Sequence, residues 1–514
     1  MSNNQTSNNE VKQSWIVKVG RALPESNILF LYLIGIVCIA SFFLQGTYAS
    51  VVEGGNDIVV KNMLSLNGLN WFFYNAINNF RSYSPLGIVV VGVIGFGFAE
   101  KTGLLGSAIK KVGIITPEKF LLPVVVFLGI NSSVASDAGY IVLIPLAGAL
   151  YAGLGKHPLI GITAAFAGVS AGFGAALVPT PGDGLLGGIT NDVLLANDML
   201  LSDFGISNFV TMNYFFMIAS TFFLTIVISL IGNKFVNKTV DAYTYTVPED
   251  LHTASDLSDE ETKALKAAGV ALLVTIAVFI VLGFTALGSF TSNEAIGLAE
   301  KTNQTYVPIR DNIIVVMIII FLVPSLVYGK KVGTITDSKS YIKLTVSAMS
   351  EIAYFLVFAI FAGNFIQIFN FSGLSTYISN QGAGMLMSMN MTSPILLMLG
   401  FIVVTAFVNL FMGSASAKWN ILAVIFVPML IQATGGEMGP DVIQAGYRVA
   451  DSSTNVITPL MTYAGVILIA CRRYIDDFEY GDMLALMMPY SLGILISWSI
   501  FYCIWLGLGL PFGF

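Results

Sequence analysis

The chain has 514 residues, enough for about three soluble domains at roughly 150 residues each, yet only 11% are charged and 55% are apolar. With a mean hydropathy of +0.80 it cannot coat three water-facing surfaces, which excludes a soluble enzyme, a nucleic-acid binder and a secreted disulfide scaffold. The net charge of −6 decides little, because in a membrane chain the position of each charge matters more than the sum.

Residues 1–26 read as a polar cytoplasmic tail with no cleavable signal. Apolar runs, each needing about 20 residues to cross the hydrocarbon, then fall near 27–46, 86–109, 158–178, 208–232, 266–288, 312–329, 341–369, 441–471 and 483–508. These are nine predicted crossings. Segment 47–85 is too polar to cross, and 239–265 is a cytoplasmic linker rich in Asp, Glu and Thr. Two further stretches, 119–153 and 393–432, break near their middles at Gly129-Ile130-Asn131-Ser132-Ser133 and Gly413-Ser414-Ala415-Ser416. Halves that short suggest helical hairpins entering and leaving on one side, the alternative being paired spans with polar kinks.

Topology separates the two readings. With nine crossings and two returning hairpins, the cytoplasmic segments hold Lys12, Lys18, Arg21, Lys101, Lys110, Lys111, Lys119, Lys156, Lys234, Lys238, Lys263, Lys266, Lys330, Lys331, Lys339, Lys343, Arg472 and Arg473. Lys61, Arg81, Lys301 and Arg310 fall outside, and Lys418 and Arg448 lie within the membrane. This positive-inside bias sets the N-terminus in the cytoplasm and the C-terminus outside. Turning either hairpin into a single crossing reverses it for the later loops. The predicted fold is an all-α polytopic membrane protein with nine transmembrane helices and two re-entrant hairpins in inverted repeats. Its divisions are a first helical region with an outside loop at 27–118, a first transport-core segment at 119–206 and central helices at 207–392. A second core segment follows at 393–471, and the last helix lies within 472–514.

The repeat itself is legible by shifting the chain 283 positions, which superposes Ser133 on Ser416, Pro145 on Pro428 and Ser170 on Ser453. Each copy is a hairpin followed by a span with a small or polar middle, Gly168 to Gly174 in one and Asp451 to Asn455 in the other. Inverted-repeat transporters build midplane sites this way, and non-helical backbone at that depth is tolerated only where it is buried or lines a cavity. Hairpin 1 and its broken helix therefore offer Ser133, Asp137 and Ser170 as site candidates.

Five ionisable residues, Asp137, Glu351, Lys418, Arg448 and Asp451, lie at membrane depth, where an unpaired charge is costly and the default is an interior, functional position. Arg448 and Asp451 are three apart on one helix, so they share a face, either as a structural ion pair or in separate roles. Asn409 and Gly413 stand at spacing i, i+4, which sets the Asn409 amide above a helix C-terminus with free carbonyls. Asn409, Gly413 and Asp451 thus form a candidate sodium site, Asn409 as a simple interhelical hydrogen bonder being the alternative. Past the tip, Ser416, Lys418 and Trp419 crowd a helix N-terminus, where a carboxylated aromatic solute finds a positive dipole, a cation and a stacking face. Trp419 as an interface anchor is the other reading.

The runs Ser132 to Tyr140, Gly413 to Trp419 and Tyr447 to Leu460 resemble the signatures of the AbgT family of p-aminobenzoyl-glutamate transporters, with likeness from about residue 14 onward. The resemblance implies a homodimer in the bacterial inner membrane, with nine crossings and two hairpins per protomer. It implies substrate-path residues at Asp183, Ser416, Trp419, Arg448 and Pro459, and sodium ligands at Asn409, Gly413 and Asp451. One departure is the proline-rich Val178-Pro179-Thr180-Pro181-Gly182 before Asp183. The reading is a secondary transporter of p-aminobenzoyl-glutamate or related aromatic carboxylates, coupled to sodium or protons and using no organic cofactor. Arg448 and Lys418 would neutralise carboxylates, Trp419 would stack on the ring, and Asp451 would sense the coupling ion. The alternative is proton-motive-force-driven efflux of sulfonamide antimetabolites, which share the p-aminobenzoyl shape. An intramembrane hydrolase on Ser133 and Asp137 lacks a histidine at depth to activate the serine.

Overall fold

The structure is a computed structural model describing residues 26–49, 58–135, 139–247, 257–284, 313–350, 352–389, 391–458 and 463–514. Asp137, Glu351 and Pro459 lie outside them. Nearly everything described is helical. Helix α1 (Ser26–Phe43) leads to a two-residue antiparallel ladder of β1 (Tyr48–Ala49) and β2 (Ile58–Val59). Then come α2 (Leu66–Arg81), α3 (Pro85–Lys101), α4 (Leu104–Ile115), α5 (Leu121–Asn131), α6 (Ile144–Gly153), α7 (Pro158–Ala171) and α8 (Pro181–Ala196). Helix α9 (Tyr214–Ile231) runs on through a π turn, and α10 (Asp259–Phe284), α11 (Ile313–Val332), α12 (Ser338–Ser350), α13 (Ala353–Phe371) and α14 (Leu374–Ser388) follow. The second core segment holds α15 (Pro394–Asn409), α16 (Ala415–Ala433), α17 (Pro440–Thr454) and α18 (Ala464–Arg472), and α19 (Tyr480–Gly507) closes the chain.

Among the described residues five helices are long and apolar enough to span a bilayer, namely Tyr214–Val240, Asp259–Phe284, Val315–Val332, Ala415–Ala433 and Tyr480–Gly507. The other apolar runs are divided. The predicted span 86–109 ends at Thr102 because Gly103 adopts φ +87°, a left-handed stop, before α4 begins. The run 341–369 parts into α12 and α13. In segment 47–85 the polar reading missed α2, whose start is capped by Ser65 accepting from the Gly68 amide. Helix α14 was also missed, since the face it buries against α16 is made of Ser375, Ser379 and Ala383 rather than large apolar residues.

The 283-residue shift survives at the level of elements. It carries residues 158–171 of α7 onto 441–454 of α17, and the start of α8 onto the start of α18. Helices α7 and α17 are buried along almost their whole length. α7 packs between α5 and α6, and α17 packs mainly on α15. The helices beyond the breaks exchange sides: α8 packs on α16 of the second repeat, and α18 on α6 of the first.

The break at Gly413–Ser416 falls between the end of α15 and the start of α16, and α7 ends at Ala171 within the Gly168–Gly174 stretch, whereas the other two interruptions are displaced from their predicted positions. Gly129 is inside α5, where it touches Gly168 of α7, and the departures from α-helix are instead a 3-10 turn at Ser132–Ala135 and a π turn at Gly139–Leu143. Helix α17 stays helical through Asp451–Thr454, the Ser453 and Thr454 hydroxyls finding partners in the Val449 and Ala450 carbonyls instead of competing for backbone groups outside the helix. Unwinding starts only at the 3-10 turn Asn455–Ile457.

Candidate functional site

Two buried ion pairs meet along α17, and each reaches a different partner. At the head of α8, Thr180 is extended and Pro181 occupies the first helical position, where its fixed φ suits the helix and its missing N–H costs nothing. The proline-rich departure before Asp183 is thus the helix start itself. Asp183 completes a capping box, its Oδ2 accepting from the Thr180 amide (2.6 Å) and hydroxyl (2.8 Å). Its Oδ1 is left for Arg448, whose Nη1 donates to it at 2.6 Å. Arg448 also donates to the Phe173 carbonyl (3.3 Å), in the unwound chain after α7, and to Gln444 Oε1 through Nε (3.2 Å) and Nη2 (3.1 Å). An interrupted helix therefore does supply a freed carbonyl to a buried cation.

The second pair joins α16 to α17. Lys418, wholly buried in the first turn of α16, places Nζ 2.5 Å from Asp451 Oδ1 and donates to Asn409 Oδ1. The Asn409 amide nitrogen lies against the Asp451 carbonyl (2.8 Å), Thr454 Oγ1 (2.7 Å) and Asn455 Oδ1 (2.9 Å). Asn455 Nδ2 donates to Asp451 Oδ2 (3.2 Å), and the Tyr447 hydroxyl donates to the Ala415 carbonyl (2.5 Å). A buried ion pair needs further hydrogen bonds to offset its desolvation, and here Asn409 and Asn455 supply them to the ammonium and to the second carboxylate oxygen. Of the two readings of Arg448 and Asp451, a mutual ion pair and separate roles, the second holds: each is committed elsewhere, so the three-residue spacing serves to reach two different elements.

Between the pairs stands Trp419, fully buried, with its Nε1 donating to Thr190 Oγ1 (2.9 Å) and its ring against Tyr447 at 4.5 Å between centroids. It is not an interface anchor. Gln444 Nε2 donates to the same Thr190 hydroxyl (2.7 Å), which closes a chain from Arg448 through Gln444 and Thr190 to Trp419. Thr190 and Gln444 escaped the sequence reading; their signal was helical spacing, Gln444 one turn before Arg448 and Thr190 two turns after Asp183. Asp192 was missed as well, a buried carboxylate on α8 accepting from the Ser84 hydroxyl (2.5 Å) and amide (3.1 Å).

Other predicted residues sit apart from this cluster. Among the described residues Ser133 Oγ donates only to its own turn at the Ile130 carbonyl (3.0 Å), whereas Ser170 Oγ crosses to the Ser452 carbonyl (2.9 Å) and ties α7 to α17. Ser416 is half-buried at the start of α16 and its carbonyl accepts from Asn420 (2.8 Å). Gly413 is exposed in the break and, among the described residues, adds no hydrogen bond to the Asn409 network. The sodium set predicted from Asn409, Gly413 and Asp451 does not fit an ion as the side chains stand. The Asn409 oxygen and one Asp451 oxygen already hold an ammonium, and the neighbouring oxygens face the Asn409 N–H group.

Comparison with known proteins agrees with the residues. The profile of the AbgT transporter family matches residues 13–514. The p-aminobenzoyl-glutamate transport protein of Escherichia coli is 31% identical over 503 residues, covering 97% of this chain and 95% of that one. The YdaH transporter of Alcanivorax borkumensis, described as having an unusual topology, superposes with a TM-score of 0.85 at 32% identity, over 95% of this chain and 100% of that one. MtrF of Neisseria gonorrhoeae, described as illuminating a class of antimetabolite efflux pumps, gives a TM-score of 0.82 at 32% identity, over 96% and 97% of the respective chains.

Proposed function

This chain belongs to the AbgT transporter family, and from that premise we propose that it moves an aromatic, amide-linked carboxylate of the p-aminobenzoyl-glutamate class across the bacterial inner membrane, driven by a cation gradient. The observation that carries the reading is Arg448, a buried guanidinium held by Asp183 of the other repeat and linked through Gln444 and Thr190 to the Trp419 indole. A guanidinium offers a fork of donors that matches a carboxylate. A solute carboxylate takes the place of Asp183 on that fork, and the p-aminobenzoyl ring stacks on Trp419 where Tyr447 now lies. Asp451 belongs to the coupling side of the same helix.

Around this core we assign nine crossings and two hairpins, the N-terminus in the cytoplasm and the C-terminus outside, in a homodimer. The distribution of Lys and Arg supports the orientation. The apolar window of α10 is only 11% buried, which suits a helix turned toward lipid.

The test is flux of labelled p-aminobenzoyl-glutamate in membrane vesicles of both orientations under imposed sodium or proton gradients. Arg448→Ala should abolish flux, and Asp451→Ala should uncouple it from the gradient. Wild-type flux in either variant would sink the corresponding part. A second reading, efflux of sulfonamides, is favoured by the description of the Neisseria relative. Expression that raises sulfonamide tolerance without net uptake of p-aminobenzoyl-glutamate would select it.

A further inference from the structure

We propose that the Lys418 ammonium is a tethered cation filling the oxygen site of the second hairpin, so that Lys418 and a sodium ion exclude one another there. This rests on the cation-coupled reading above and narrows it to a single contested position.

The position of Lys418 is unusual on two counts. It lies in the first turn of α16, whose N-cap is Ser414, where the helix dipole disfavours a positive charge. It is also wholly buried, where a charge is expensive without a partner. What holds it is one carboxylate oxygen, Asp451 Oδ1 at 2.5 Å, and one amide oxygen, Asn409 Oδ1. Hard oxygen donors with one negative charge among them are what a monovalent metal cation would also select.

Both oxygens are aimed by their neighbours. Asn409 cannot turn its amide without setting its oxygen against the oxygens of Asp451, Thr454 and Asn455 that now surround its N–H group. The second oxygen of Asp451 accepts from Asn455 Nδ2. The donor set is therefore held between α15 and α17, and Lys418 is the part supplied from α16.

Charge balance makes the occupancy exclusive. Arg448 is matched by Asp183, and Lys418 by Asp451. A sodium ion entering beside Lys418 would set two positive charges on the single Asp451 carboxylate in a low-dielectric interior. Replacing the ammonium with an uncharged side chain of similar length leaves the carboxylate unmatched and the oxygens still aimed.

The experiment measures the thermal-unfolding midpoint of the full-length protein in detergent against NaCl, with choline chloride holding ionic strength constant. Wild type should respond weakly or not at all. Lys418→Met, and Lys418→Gln as a second uncharged variant, should unfold earlier in choline and recover in sodium, with a half-saturating concentration at least about tenfold below that of wild type. Adding Asp451→Asn to Lys418→Met should remove the response. Equal half-saturation in wild type and both single variants, or no sodium response in either variant, would overturn the proposal. Failure to recover either variant folded from sodium-containing detergent would overturn it too, since sodium then does not take the place the ammonium leaves. Because no solute is present, loss of vesicle flux alongside an intact sodium response counts against the transport reading alone.

Discussion

Helices α7 and α17, which the 283-residue shift brings into register, are held by different forces. In the first repeat, α7 meets its hairpin backbone to backbone: a Cβ on Gly168 would lie 2.7 Å from the Val126 carbonyl oxygen, and one on Gly161 2.4 Å from that of Ala147. In the second, α17 meets its hairpin through the Lys418–Asp451 pair and the Asn409 amide. Close backbone contact has no alternative partner and yields only by unpacking. An ion pair with hydrogen bonds can be exchanged for another ion or for water. The comparison teaches that α7 is held by contacts that yield only by unpacking and α17 by contacts that can be exchanged, and that the chargeable chemistry is concentrated on the second.

The sharpest way to break this contrast is to strip one member of the second repeat's pair. Asp451→Ala leaves the Lys418 ammonium buried without its counter-charge and should cost about 3–5 kcal/mol in unfolding free energy, read by thermal or denaturant unfolding in a detergent that sustains the wild type. Lys418→Met with Asp451→Asn removes both charges and should cost far less than the sum of the single changes, a coupling that a double-mutant cycle measures directly. A cycle with no coupling would mean that the pair does not hold the second hairpin.

The next effect tests the backbone contacts of α7. Gly168→Ala drives a methyl into the Val126 backbone and should destabilise by about 1–3 kcal/mol. A glycine of the second repeat, Gly446 on α17, is the control: a Cβ there closely approaches only the Met398 terminal methyl, at 2.2 Å, the end of a flexible side chain. That side chain can turn aside, and alanine gains up to about 1 kcal/mol of helix propensity. Gly446→Ala should therefore be close to neutral, and equal losses at the two glycines would erase the distinction.

The smallest effect is one of pH, at the entrance to α7. His157 accepts from the Leu159 amide at Nδ1 (3.3 Å) while Nε2 contacts the Tyr243 carbonyl (2.9 Å), an arrangement suited to the neutral ring. Partial burial holds its pKa below the ordinary 6.5, against the opposing pull of the Tyr243 carbonyl and Asp241. The unfolded chain then binds the proton more readily. Stability from this group is fully present above pH 6.5 and declines as pH falls below it. His157→Asn, which can still cap the helix, should flatten the unfolding midpoint across that range.

Much of this was legible in the residue string. Charges within apolar runs announced Lys418, Arg448 and Asp451, and a shift of 283 positions found the repeat that α7 and α17 embody. Pairing was not legible, because it depends on elements remote in sequence. Arg448 and Asp451 suggested each other by spacing, yet Arg448 binds a carboxylate 265 residues away. Asn409 was correctly drawn to Asp451, but it meets the Asp451 carbonyl through its nitrogen and lends its oxygen to Lys418. The break in α17 moved for a local reason: the Ser453 and Thr454 hydroxyls, which look like loop formers, are satisfied by their own helix. Helix α14 was invisible because small hydroxyl residues, Ser375 and Ser379, make its contacts with the α16 carbonyls.

Helix α17 holds Asp183 with one side chain and Lys418 with another, only three positions along the same rod. At about 100° per residue the two arms leave the axis some 60° apart, so a twist of the rod that slackens either grip strains or frees its companion. Opposite halves of the molecule are geared to a single spindle, and wear at one bearing is felt at the other.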